Sequence, residues 1–383
     1  MHRQIQSVAL LAAFALAACS TDVVAPTSQV KAVNAHVSHI QGSQLAPHSF
    51  APAHYQLPVA LGSGGVTLSS LAARNDAVAA AAPLNIQYWG GGVIQKQSIA
   101  AIYYSPTTIY RNGPRPGTSG NGETDNSLVG FYLKNLAKSA YWNTNSTYFD
   151  EIGNKDQNFI KDWMDYKSFW AANQNAPNPG NTVSEDDMVF LIESGFANGT
   201  LKYDPNTLYM IFTGPGVNLG GGFSNDELDY CAFHSGYWFN DGGPIVQFGA
   251  MPYDAEFNPD HPSKHNFVCT FLTNGPNGDL GADATVSGLT HETEETATDP
   301  VSLTVPPFFA GWYDVQGEEN GDKCAYVYGP TTAFNGLDFW NVNFGGKQFL
   351  IQQNWSNVSP QGCRTGLNGP GTNGNHGAAG VAQ

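Results

Sequence analysis

The chain has 383 residues, with 16 basic and 32 acidic side chains, a formal charge of −16 and only 13% charged residues. An acidic surface repels a phosphate backbone, which argues against nucleic acid as a partner. With 41% hydrophobic residues and 43 glycines, the composition is that of a loop-rich exported protein large enough for a full core.

The N-terminus carries Arg3 and then an apolar run from Val8 to Ala18. That run is too short for a stable bilayer span and has the layout of an export signal over residues 1–18. Leu16-Ala17-Ala18-Cys19 has the form of a bacterial lipobox, so Cys19 is expected to be the lipidated first residue of a mature chain, held at a membrane by its lipid. The alternative is a plain secretory signal with Cys19 as a bystander. Residues 19–82, rich in Ala, Ser, Val, Pro and Gln, read as a low-complexity tether. Its histidines, His36, His39, His48 and His54, are spaced too loosely to suggest a metal tract.

From residue 83 the composition turns aromatic and apolar, broken by Gly, Pro and Asn. Leu84 to Trp89 reads as a strand ending at Gly90-Gly91-Gly92, and Ala101 to Tyr110 as a second, short or at an edge because of Pro106. Ser127 to Lys138 has a helical apolar stripe, and Ser146 to Phe149 is strand-like. Asn158 to Trp170 and Ser184 to Asn198 both look helical, the second with Ser184 as N-cap before Glu185, Asp186 and Asp187. Thr207 to Phe212 is the clearest buried strand. Gly220-Gly221-Gly222 lacks a following Lys-Ser/Thr and reads as a loop, not a phosphate cradle. The sum is an α/β or α+β fold, a single mixed-sheet domain with flanking helices over residues 83–365. A Gly/Asn-rich, disordered tail follows over 366–383, in which His376 is a poor ligand.

Cys231, Cys269, Cys324 and Cys363 are an even set in an exported chain and suggest two disulfides. Three pairings are open; 231 with 269 and 324 with 363 close the shortest loops.

The segment HETEETATDP, His291 to Pro300, carries the chemistry. Asp279 or Asp283 can cap a helix that Pro300 closes, and on it His291 and Glu295 share a face, with Glu292 one step round. Glu292 stands where the general base sits in the zinc pattern HExxH. A third ligand has to come from elsewhere, and the acidic loop Gly317 to Cys324 offers Glu319 and Asp322. His234, His261 and His265 are reserve imidazoles. Two carboxylates and one imidazole make a harder set than two imidazoles and one carboxylate, so manganese, iron and calcium compete with zinc. The bland alternative is a solvated Glu292 and Glu294, with His291 or Glu295 in ordinary hydrogen bonds. Gly311-Trp312-Tyr313 can line a groove for a sugar or peptide, or be core. No GxSxG elbow is present, and no pair of acids stands out as a glycosidase couple.

These residues resemble the phosphate-induced protein family, also called the EXORDIUM family. The resemblance rests on Gly281 through Glu295, Pro300, Gly311-Trp312-Tyr313 and Glu319-Asn320-Gly321-Asp322-Lys323-Cys324. Asn85 to Trp89, Ser139 to Tyr148 and Val217 to Tyr237 add to it. It implies secretion and a cell-wall association, without an established activity. The HExxE helix is similar to that of zinc peptidases, which implies metal ligands at His291, Glu295 and Glu319 and a base at Glu292. Thr293, Glu294 and Thr296 make this helix more polar than the family's usual wording and imply a more exposed face. Two functions follow as expectations: a metal-dependent, peptidase-like hydrolase, or a non-catalytic surface module binding wall polysaccharide or protein.

Overall fold

A computed structural model describes residues 85–153, 156–219, 231–239, 244–255, 269–270, 272–301, 311–336 and 338–368. The export signal, Cys19, the tether, Gly220 to Gly222, His261, His265 and His376 lie outside the described residues. Among the described residues no helix is long and apolar enough to cross a membrane.

Six strands form the main sheet: β1 (Ser98–Tyr104), β2 (Ser119–Asn121), β3 (Asp165–Trp170), β4 (Thr207–Thr213), β5 (Phe233–Trp238) and β6 (Ile245–Met251), in the order β5-β6-β4-β1-β3-β2. The inner strands β6, β4, β1 and β3 run parallel, and β5 and β2 close the edges antiparallel. A parallel sheet needs both faces covered, and the alternation along its central strands supplies two cores. Ile99, Ala101, Tyr103, Leu208, Met210 and Phe212 face one side; Ala100, Ile102, Tyr104, Tyr209 and Ile211 face the other. The first side packs helices α1 (Leu128–Leu136) and α3 (Leu280–Thr298), and the second packs α2 (Glu185–Ala197). The result is a mixed sheet between helical layers, the α/β architecture expected.

Several local expectations change for identifiable reasons. Ala101 to Tyr110 was expected to be short or at an edge; β1 is instead central, because Pro106 falls beyond its end and removes no ladder donor. Asn158 to Trp170 is not helical. Phe159, Trp163, Tyr166 and Trp170 imitate a helical stripe, but Asn158–Phe159 pairs with Phe149–Asp150 and the rest becomes β3 beside β1. Within the strand-like Ser146 to Phe149, Ser146 and Thr147 end a 3-10 helix, Trp142–Thr147, and only Phe149 joins a strand. The packed body also runs past 365: Leu367 is buried and donates its N–H to Ala140 O at 2.7 Å.

Two disulfides, Cys231–Cys269 and Cys324–Cys363, join neighbouring cysteines as the short-loop argument favoured. The α2 start is a complete capping box: Asp187 N–H donates to Ser184 Oγ at 3.2 Å, and Ser184 N–H donates to Asp187 Oδ2 at 2.9 Å. Ser184→Ala removes the side-chain half of that box. Denaturant unfolding is expected to show a loss of about 1 kcal/mol with an unchanged m-value.

Candidate metal centre

Helix α3 begins at Asp279, whose Oδ1 accepts from Ala282 N–H, and ends at Asp299 before Pro300. Its apolar residues Ala282, Val286, Leu289 and Ala297 form the stripe that meets the core. The remaining faces are polar, yet they are buried as well: Thr290, His291, Glu292, Thr293, Glu294, Glu295 and Thr296 are all 0% exposed. The more exposed face expected from Thr293, Glu294 and Thr296 is therefore absent. The threonine hydroxyls turn back on their own helix, Thr293 Oγ1 donating to Leu289 O at 2.6 Å and Thr296 Oγ1 to Glu292 O at 2.7 Å. Tyr132, from α1, covers Thr290 through a hydroxyl contact.

Three elements meet at His291. The first is α3, with His291, Glu292 and Glu295. The second is β5, where Phe233 and Tyr237 join the α2-side core, so the alternation turns His234 toward α3. The third is the loop from Asp314 to Ala325. Lys323 anchors this loop by pairing with the buried Asp314 at 2.6 Å, and the Cys324–Cys363 bond cross-links it. Asn320 adds a polar tie: its Nδ2 donates to Asn145 Oδ1 at 3.1 Å, and its Oδ1 accepts from Thr298 Oγ1 at 3.1 Å.

His291 Nε2 faces Glu295 Oε1 at 3.0 Å, Asp322 Oδ1 at 3.5 Å and Glu292 Oε1 at 3.9 Å. His234 Nδ1 lies 3.0 Å from Glu292 Oε2 and 3.7 Å from Glu295 Oε2, and its Nε2 lies 3.9 Å from Glu319 Oε1. Gln352 sets the His291 ring, with Nε2 at 3.0 Å from Nδ1 and donating to Gly321 O at 2.8 Å. Gly321 is required by the close approach of its backbone: a Cβ there would stand 2.7 Å from Glu295 Oε1 and 2.9 Å from His291 Nδ1.

Of the residues singled out in the sequence, His291, Glu295 and Asp322 form one set able to hold a divalent ion, and His234, Glu292 and Glu295 form another. Glu319 belongs to the cluster but faces His234, not His291. Glu294, on the same helix, is buried near Asn354 and Tyr141. Asp299 accepts from Gly311 N–H at 2.7 Å and so positions the chain entering Trp312. Trp312 and Tyr313 are buried, and the exposed Trp89 stacks on Tyr313 at 5.0 Å. Cys231, Asp254 and Cys269 are also close together, but both sulfurs are spent in the disulfide. His234 was one of three reserve imidazoles; the other two, His261 and His265, lie outside the described residues. Gln352 and the role of Gly321 had no signal in the sequence.

The electrostatics are those of acids held close in a dry interior. Burial, then the charges of Glu295, Asp299 and their neighbours, pushes Glu319 well above the usual carboxylate range. Burial likewise raises Glu295 from its ordinary 4.5 to about 7, against the lowering influence of His291. For His291 burial favours the neutral ring, but the charges of Glu295 and Glu292 and the hydrogen bonds that the ring donates to Asp322 and Glu295 outweigh it, and its pKa is raised. Two imidazoles meet four acids here, Glu292, Glu295, Glu319 and Asp322, an anionic set suited to a hard divalent cation. A divalent cation removes the repulsion.

The chain is a distant homologue of Protein EXORDIUM-like 3 of Arabidopsis thaliana, 25% identical over an alignment 255 residues long, which covers 61% of this chain and 70% of the plant protein. No family model matches the chain, and no solved structure does.

Two outcomes follow. Ion-free protein should lose stability as pH rises from about 4.5, since Glu295 binds its proton more tightly folded than unfolded and that contribution is gone above about 7. His291, raised, acts in the same direction and its contribution is lost only as pH passes its folded value. An ion must displace these protons, so its stabilising effect should grow as pH rises through about 7, read as the rise in melting temperature on adding zinc or manganese. Gly321→Ala, which drives a methyl group into Glu295 and His291, should weaken that response at every pH.

Proposed function

We propose that this protein is an exported, metal-dependent hydrolase of peptide bonds, acting at a bacterial cell envelope to which Cys19 ties it through a lipid. The observation that carries the reading is the convergence of His291 Nε2, Glu295 Oε1 and Asp322 Oδ1, three donors of metal-ligand type from a helix and a cross-linked loop. A divalent ion bound there, zinc or one of the harder ions manganese, iron or calcium, lowers the pKa of a water and polarises a carbonyl. The protein's own groups place the reaction. Glu292 and Glu319 are the carboxylates left beside the ion to accept a proton, Glu292 as the helix spacing suggested and Glu319 with its raised affinity for one. Asp322, whose side chain is 20% exposed, marks the side open to solvent. The leader, the lipobox and the two disulfides support export.

A second reading, a wall-associated module with a structural ion, is favoured by the depth of the centre and by the Trp89 ring, 45% exposed, which offers a sugar a stacking surface.

The readings separate in assays on the ion-loaded protein. Glu292→Gln or Glu319→Gln should lower peptide turnover by roughly 10²–10⁴-fold with folding retained. A loaded protein that cleaves nothing in a broad peptide library, and whose glycan binding is the same in both variants, supports the module instead. Cys19→Ser should abolish incorporation of labelled fatty acid; unchanged labelling removes the anchor from the proposal.

A further inference from the structure

We propose that the centre is dinuclear: a second divalent cation sits between His234, Glu292 and Glu295, with Glu295 bridging it to the ion held by His291 and Asp322. The inference rests on the metal-dependent reading above and deepens it.

The geometry of Glu295 is the main argument. Its two oxygens face different imidazoles, Oε1 toward His291 Nε2 at 3.0 Å and Oε2 toward His234 Nδ1 at 3.7 Å. Two donors on one ion at about 2.0–2.2 Å sit roughly 3.0–3.5 Å apart, the spacing that His291 makes with Glu295 and Asp322 and that His234 makes with Glu292. Glu292 repeats the pattern, Oε2 at 3.0 Å from His234 and Oε1 at 3.9 Å from His291. Both carboxylates therefore span the two rings, as bridging ligands do when ions lie about 3.5–4 Å apart.

A second, independent observation points into the same space. Glu295 Oε2 is completely buried and makes no hydrogen bond, and Glu319 Oε1, on a residue 4% exposed, makes none either while lying 3.9 Å from His234 Nε2. A buried acceptor left this way carries an uncompensated desolvation cost, larger when it is charged, and coordination of a cation removes that cost. With Glu292 drawn in as a ligand of the second ion, Glu319 is the carboxylate that remains beside the pair as proton acceptor.

The test uses the full chain and zinc or manganese alone. Metal analysis after dialysis should give two ions per chain, and the manganese form should give a spin-coupled electron paramagnetic resonance spectrum. One ion per chain with an isolated six-line manganese spectrum overturns the second site and leaves the single-ion reading standing; none overturns both. His234→Asn should retain one ion and lose the coupling. Because the wild-type stoichiometry and spectrum decide the matter alone, a variant that fails to fold does not rescue the idea.

Discussion

The constraint on which this structure depends is the burial of a polar helix. α3 has glutamates and threonines at positions that neighbouring layers enclose from every side, and its acids meet two imidazoles in a region that water does not screen. Threonine hydroxyls are accommodated by bonding to carbonyls one turn back. Carboxylates have no such recourse, since they only accept. An interior of this kind is stable only if something positive enters it or if the acids hold protons, and the raised affinities of Glu295, Glu319 and His291 for protons are the mark of that competition.

The surrounding fold is arranged to hold the donors at fixed separations. The mixed sheet presents His234 from an antiparallel edge strand, and α3 is pinned at its start by Asp279 and at its end by Asp299. The acidic loop is closed on itself by the Lys323–Asp314 pair and bound to the body by Asn320 and a disulfide. Gly321 lets the loop backbone come close enough for Asp322 to donate its N–H to Glu295 Oε1 at 2.9 Å, so one carboxylate oxygen is oriented by the segment that supplies another acid. Such mutual orientation is the outer-shell support on which metal sites rely.

Much of this was legible in the residues. The end of α3 at Pro300, the His291 and Glu295 couple, the acidic loop and the α2 cap each follow from local chemistry, while the start of α3 was open between Asp279 and Asp283 and the neighbouring disulfides were the favoured one of three pairings. What was not legible depends on tertiary partners. The aromatic spacing from Phe159 to Trp170 fits a helix equally well, and only pairing with β1 decides for a strand. Polarity in Thr293, Glu294 and Thr296 reads as exposure until the layers that cover them are known. The approach of His234 to Glu292, and the entry of Gln352 beside His291, are long-range events with no local signature.

The centre draws on β5, on α3, on a loop secured to Cys363 and on Gln352, so its parts come from stretches of chain far apart in order of synthesis. A nascent polypeptide cannot assemble it piecemeal. A cation bound there would be taken up by an essentially finished body, and its identity would be set by the compartment in which folding ends as much as by the donors themselves.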